Sequence, residues 1–412
     1  MSISAALTPR MRGFAQYVCR ALAGSLVLAL AGCNSAGFDF SGSGPTPSPE
    51  INSAPVPQVQ SQPLSSPTVG EVLGTGPVRV GLILPLTQNG APSAVGVSLR
   101  NAAQLAIEES GLNDITLMIV DDRGTPDGAA QAAQSEISAG AQIILGPLLA
   151  GEVREVGRIA KSAGRPVIAF STDESVAAPG VYLLSFLIES YSDRIAEYAV
   201  SRGKKSFAVL APQTDYGNVA VGEFQQAASR LGARVIAVAR YMPGQADGAV
   251  PEIAGVAKQI DALFIPEQAD GMSAVATALT SSGVKTQLLG TGVWNDPRAL
   301  RLPALQGSWF SAPDNAGFNA FAQRYKAKFN SDPLRLASLA DDAVSLTAAL
   351  ARAKGDQAFG ENVLTNPSGF NGVDGVFRFR SDGANERGLA VMQTGVGAAT
   401  VISPAPQKFA GS

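Results

Sequence analysis

The sequence predicts an α/β protein of two lobes, each built on a doubly wound parallel sheet. Short β-branched runs alternate with Ala-rich stretches of helical periodicity at roughly 25–35-residue intervals, the spacing of right-handed strand–helix–strand units. Some runs, such as Val167-Ile168-Ala169-Phe170, are apolar throughout, which suits strands covered by helices on both faces. About five such units precede Ser190 and four follow it, more than one core usually serves, so two sheets are expected.

The expected strands are 78–84, 115–120, 142–145, 166–170, 181–186, 207–210, 234–239, 262–265 and 286–289. Between the first two, Leu99, Ala102, Ala103, Ala106 and Ile107 recur at helical spacing and make one apolar stripe. Val153, Val156, Ile159 and Ala160 repeat the pattern after the third run, and Ile195, Tyr198 and Ala199 after the fifth. After Trp309 the order changes. Helices are expected over 317–329 and 337–353, followed by β segments at 375–380 and 389–394 with turns at Asp374-Gly375 and Asp382-Gly383.

Residues 1–32 read as a lipoprotein signal peptide. Arg10, Arg12 and Arg20 come first without an acid, an apolar stretch over 21–31 follows, and Leu30-Ala31-Gly32-Cys33 ends it. Cys33 is then the acylated first residue of the mature chain; the alternative is a secretory signal with an incidental cysteine. Residues 33–77 read as the lipidated cysteine and a Pro/Ser-rich tether, with eight prolines between 45 and 77. Loss of 1–32 leaves 28 basic and 34 acidic residues, a net charge of −6, which argues against nucleic-acid binding through phosphates. Cys19 leaves with the signal, so neither an internal disulfide nor a cysteine metal site is expected. The chain has no histidine, which excludes Ser-His-Asp and Cys-His catalysis and His metal sites. Gly203-Lys204-Lys205-Ser206 lacks the upstream glycine of a phosphate loop, and Asp382-Gly383-Ala384-Asn385-Glu386 reads as a turn rather than a calcium loop. No enzyme activity, cofactor or metal is expected.

Val78-Arg79-Val80-Gly81-Leu82-Ile83-Leu84-Pro85-Leu86-Thr87 resembles the opening of type I periplasmic binding proteins of the leucine/isoleucine/valine-binding class. Ile144-Leu145-Gly146-Pro147, Ala163-Gly164-Arg165-Pro166-Val167-Ile168, Asp215-Tyr216-Gly217 and Arg335-Leu336-Ala337 through Asp342-Ala343-Val344 continue the resemblance in order. Phe170-Ser171-Thr172-Asp173, Gly180-Val181-Tyr182-Leu183-Leu184 and 372–379 are similar to a branch of that fold, the lipoprotein activators of penicillin-binding proteins. The resemblance implies two lobes joined by three crossovers: lobe one over 78–187 plus 312–356, lobe two over 188–311 plus 357–403, and a tail over 404–412.

In open parallel sheets, strand carboxyl ends and the helix N-termini after them line a crevice that holds carboxylates well. The expected crevice loops are 87–95, 148–152, 171–175, 215–217, 267–270 and 292–295. For an amino-acid ligand, Ser171 and Thr172 offer hydroxyls to the carboxylate; the alternative is that each caps a helix. Asp173, Asp215, Glu267 and Asp270 are candidate partners of the ammonium group, and Tyr216 and Trp294 cover an apolar side chain or else pack within a lobe. Amino-acid binders of the resembled class carry hydroxyls after Ile-Gly-Pro. Here Leu148-Leu149-Ala150-Gly151 leaves only the backbone N–H groups of Leu149 and Ala150. Asp121-Asp122 reads as a strand-end pair rather than an acid/base dyad.

The functional expectation is a non-catalytic, lipid-anchored envelope protein facing the periplasm. As an activator it regulates peptidoglycan synthesis through a penicillin-binding protein; the alternative is the substrate-binding component of an ABC transporter for branched-chain or other amino acids, with a permease as partner. Asn34 after the lipid cysteine favours the outer over the inner membrane.

Overall fold

The computed structural model describes residues 70–409; the expected signal peptide, Cys33 and most of the tether lie outside them. Each strand run above forms a strand, because its branched apolar side chains fill two-sided cores. The first sheet runs Glu71–Leu73, Ile115–Asp121, Val78–Leu84, Ile143–Leu145, Val167–Ala169, Val181–Leu183, with every pairing parallel except that of Glu71–Leu73. That edge strand corrects the expectation of a tether to residue 77. Glu71 pairs with Ile119 and Leu73 with Leu117, and the Glu71 carboxylate takes the Nε of Arg100 at 2.8 Å. The second sheet runs Arg234–Tyr241, Ser206–Pro212, Ala262–Phe264, Gln287–Gly290, Trp309–Ala312, Ala390–Thr394, Ala399–Ser403, and only its last two strands are antiparallel to their neighbours.

One local device places the helices that open onto the strand ends. Ser93, Thr125 and Thr214 each accept the backbone N–H three residues on, from Gly96, Gly128 and Gly217. A Cβ on Gly128 would lie 2.0 Å from the Asp122 carbonyl oxygen, and one on Gly217 2.2 Å from that of Pro212. Glycine therefore lets each helix start hard against the preceding strand end.

Asn315–Phe329 and Ala337–Lys354 return to the first sheet, where Phe321, Tyr325, Leu339 and Val344 join Leu82, Leu99, Leu117 and Leu145 in one core. A small antiparallel sheet of Phe370–Gly372, Gly375–Phe379 and Asn385–Arg387 follows. Phe359, Leu364, Phe377 and Phe379 belong to the first core, so the segment from 357 packs with the first lobe up to this sheet rather than with the second. The reason is aromatic: Phe370, Phe377, Phe379 and Tyr182 stack on one another with centroids 5.4–6.3 Å apart. The second lobe is packed on both faces, and Phe264 stacks on Phe224 at 4.1 Å on one of them.

The chain crosses between the sheets at 184–187, 313–314 and 388–389. The first and third crossings share an acceptor. The Ser185 carbonyl oxygen takes Asn385 Nδ2 at 3.0 Å and Arg387 Nε at 2.9 Å. Near the second, the Ser311 hydroxyl donates to the Tyr191 carbonyl oxygen at 2.7 Å.

Candidate functional site

At the carboxyl ends of the first sheet, Asp121 and Asp122 point to different tasks. Asp121 accepts from the Thr87 hydroxyl at 2.5 Å and from the Thr87 and Arg123 N–H groups; although burial opposes ionisation, these bonds hold its carboxyl below the usual range. Asp122 is fully buried, accepts from Gly124 N–H, and faces Glu152. Burial, then the charge of Asp122, pushes Glu152 up to about 7. Glu152 also accepts the Leu149 N–H at 3.2 Å, so that backbone donor is spent inside the lobe while the Leu149 side chain stands exposed. Ala150 opens the helix Ala150–Ser162, half-buried.

Ser171 is buried and its hydroxyl accepts the Asp173 N–H at 3.1 Å, which is the turn-holding alternative. Asp173 in turn accepts the Ser175 N–H and lies 3.6 Å from Arg154. Thr172 is exposed beside them. Across the crevice Asp215 is exposed at the start of its helix, and the Tyr216 hydroxyl meets the Thr291 hydroxyl at 2.6 Å. Burial pushes the Tyr216 phenol up to about 12, so it stays a neutral hydrogen-bonding group.

Two expected site residues are used elsewhere. Glu267 is buried and accepts the Tyr241 hydroxyl at 2.6 Å and the Gln268 N–H at 2.7 Å, which commits it to the second lobe's interior. Trp294 has no exposed surface. It lies against Gly290, where a Cβ would fall 2.3 Å from its ring, and 6.5 Å from Phe310. A bulky apolar ring beside a glycine gains more from filling that notch than from facing the crevice. Asp270 is ion-paired with Arg298, which also holds Asp296. Among the hydrogen bonds and ion pairs of the described residues, none joins the Ser171–Asp173 turn to Tyr216.

What does bring the lobes together is a cavity of about 340 Å³ beside the crossovers. Its walls include Phe186 and Tyr191 around the first crossover, Gly292 and Asn295 from the second lobe, and Asn315, Phe318, Asn319 and Arg335 from the returning segment. Asn315 Oδ1 accepts from Asn295 Nδ2 at 2.9 Å and from Arg335 Nη1 at 3.0 Å, which links the second-lobe loop to the returning helix. Arg335 lies 4.3 Å over the Phe318 ring and is paired with buried Asp374, whose other oxygen takes the Ser338 hydroxyl at 2.6 Å. Gly292 leaves room for the Tyr191 phenol, which a Cβ would strike at 2.6 Å. Of these residues, sequence reading reaches Gly292 and Asn295, through their crevice loop, and Arg335, through a motif; Tyr191 looks like one more helical core position. Nothing in the local pattern of 315–319, Asn-Ala-Gly-Phe-Asn, marks a lining rather than a core.

Among the described residues no group of acidic or cysteine side chains has the arrangement of a metal site, and no helix is long and apolar enough to cross a membrane.

The comparisons with known proteins agree with this architecture. The family model described as periplasmic binding protein matches residues 77–399. No curated protein matches the sequence. Among solved structures, a putative branched-chain amino acid ABC transporter protein from Rhodospirillum rubrum is similar over 79% of this chain and 99% of its own, with a TM-score of 0.71 and 20% identity. A branched-chain amino acid transporter substrate-binding protein from Streptococcus pneumoniae, bound to isoleucine, matches 79% of this chain and 99% of its own (TM-score 0.56, 20% identity). A solute-binding protein of an ABC transporter from Rhodopseudomonas palustris, bound to 3,4-dihydroxybenzoic acid, matches 81% and 97% (TM-score 0.57, 20% identity). With its two sheets, three crossovers and a family match over most of its length, the chain belongs to the periplasmic binding protein family, in its type I, leucine-binding-like form, a membership that implies a periplasmic or envelope location.

Proposed function

We propose that the protein is the solute-binding component of an ABC importer, anchored in the envelope through Cys33, and that it captures a small ligand between its lobes without chemically changing it. The observation that carries this reading is the 340 Å³ cavity walled by both lobes at the crossovers, large enough for a solute of amino-acid size. A ligand touching both walls favours the closed arrangement, because it bonds to both lobes only there. Two of the structural relatives named above are called substrate- or solute-binding proteins of transporters, and the third an ABC transporter, which supports a permease as the partner. The names of their ligands span an aliphatic amino acid and an aromatic acid.

A second reading keeps one supporting observation. The Leu148–Gly151 loop brings no side-chain oxygen to the crevice and its Leu149 N–H is already bonded, as suits a regulator of a penicillin-binding protein that has given up amino-acid capture.

Calorimetry on the purified full chain with a panel of amino acids and organic acids decides between them. We expect at least one solute with a micromolar dissociation constant, raising unfolding stability by about 2.7 kcal/mol at one hundred times that concentration. Asn319→Trp at the exposed mouth of the cavity should weaken that binding at least tenfold. Absence of binding across the panel, together with crosslinking in cells to a penicillin-binding protein, would overturn capture in favour of regulation.

A further inference from the structure

We infer that the ligand of the inter-lobe cavity is a small carboxylate with an aromatic or bulky apolar body and no ammonium group; this rests on the capture reading above. The first ground is the character of the walls. Among the described residues that line the cavity none is Asp or Glu, while Arg335, Asn295, Asn315, Asn319 and Tyr191, all bearing hydrogen-bond donors, line it. An α-ammonium group entering here finds no carboxylate, and a carboxylate finds N–H and O–H donors.

The second ground is the state of the two guanidinium groups. Arg335 uses one N–H on Asp374 and one on Asn315, and its other three have no partner among the described residues. Arg387 stands behind the cavity wall, 4.7 Å from the Phe186 ring, with its side chain fully buried. Its Nε is bonded to the Ser185 carbonyl, but Nη1 and Nη2 have no hydrogen-bond partner. The nearest acid, Asp342, is 4.0 Å away, beyond hydrogen-bonding reach, and burial pushes its carboxyl up against the pull of Arg387. Both guanidinium groups act on the Tyr191 phenol: burial, then Tyr216 and Asp374, drive its pKa up, while Arg335 and Arg387 pull against that rise. The lining thus sets guanidinium and amide donors among aromatic rings, with no carboxylate in the wall itself, which favours an anion over a cation.

The third ground is that three of the four acids expected for an ammonium group are engaged elsewhere, Glu267 with Tyr241 and Gln268, Asp173 with Ser175 and Arg154, and Asp270 with Arg298, while the fourth, Asp215, is not in the lining of this cavity. The rings of Phe186, Tyr191 and Phe318 supply the surface for an apolar body.

Matched ligand pairs test this. The full chain is titrated by calorimetry with 3-phenylpropanoate against phenylalanine and with 4-methylpentanoate against leucine, pairs that differ in the ammonium group alone, and with benzoate. The acid of a pair is expected to bind at least tenfold more tightly than its amino-acid counterpart. Asn319→Asp, on an exposed residue at the mouth, should weaken the acid at least threefold and leave or improve the amino acid. If the tightest binder carries an ammonium group, the inference fails while capture stands. Unchanged acid affinity in Asn319→Asp overturns the placement in this cavity. Binding of no solute overturns capture itself, and the inference with it.

Discussion

Trp294→Ala is expected to destabilise the protein by about 3–5 kcal/mol, read as a lower urea midpoint with an unchanged slope. Trp294 is the largest of the fully buried side chains, wedged between Gly290 and Phe310 in the second-lobe core with Met272, Leu300 and Leu305 in the same cluster. Gly290 has no side chain to move into the space, and Phe310 is held in a central strand between Gln287–Gly290 and Ala390–Thr394. The vacated volume therefore stays largely empty, which places the cost at the upper end of the range for such truncations. A loss below about 1 kcal/mol would mean that Trp294 does not pack as described. The same variant separates two roles for this ring. Truncating a core ring lowers stability and leaves the affinity for a saturating ligand nearly unchanged, whereas removing a ligand-covering ring does the reverse.

The second large effect is a loss of stability as pH rises from about 5 to 8. Glu136 is fully buried, and Gly81 makes the room for its carboxyl, which accepts the Leu82 N–H at 2.8 Å; burial holds its pKa well above the usual range despite that bond. Burial likewise lifts Asp341 to about 7 and Asp342 to about 8, the latter against the pull of Arg387. In the unfolded chain these carboxyls titrate near 4. Between that value and the folded value the native state holds protons that the unfolded state has released, so stability must fall as pH rises, by about 1.4 kcal/mol per pH unit for each proton held. Allowing for compensating relaxation, a decline of at least about 3 kcal/mol between pH 5 and 8 is expected in urea titrations. Below pH 4 the sign reverses. Asp121 and Asp261, held low by hydrogen bonds against their burial costs, lose their contribution as they protonate. A maximum near pH 4 follows. Glu136→Gln should flatten the neutral limb, and stability that stays level or climbs from pH 5 to 8 would contradict the burial argument.

The strand–helix order is legible in the sequence because it is written in local periodicity. Leu82-Ile83-Leu84 and Val167–Ala169 are apolar without alternation, and the stripe from Leu99 to Ile107 is buried residue for residue. Partnerships over long sequence distances are not legible. Glu71–Leu73 is three residues long and becomes a strand only because Ile115–Asp121 offers it an edge. Phe377 and Phe379 read as an ordinary short strand, and nothing nearby says that they join the first core. The expected site residues divide on the same principle. Thr172 and Asp215 stay exposed, as loop positions suggest, but Tyr216, Glu267 and Trp294 find partners inside their own lobe, at Thr291, Tyr241 and Gly290, that no spacing rule reveals. The inter-lobe cavity is gathered from Phe186 to Arg335, and its chemistry exists only once the crossovers are closed.

The edge strand Glu71–Leu73 has a mechanical consequence. It delivers the chain that precedes the domain to one lobe alone, pairing with Ile115–Asp121 of the first sheet and tied by Glu71 to Arg100 on the helix behind. Any load arriving from upstream enters the first lobe and acts on a three-residue antiparallel ladder, not on the crossovers at Ser185, Pro313 and Gly388. The first lobe is thus the one that receives such a load, and the second is reached from it only through the crossovers.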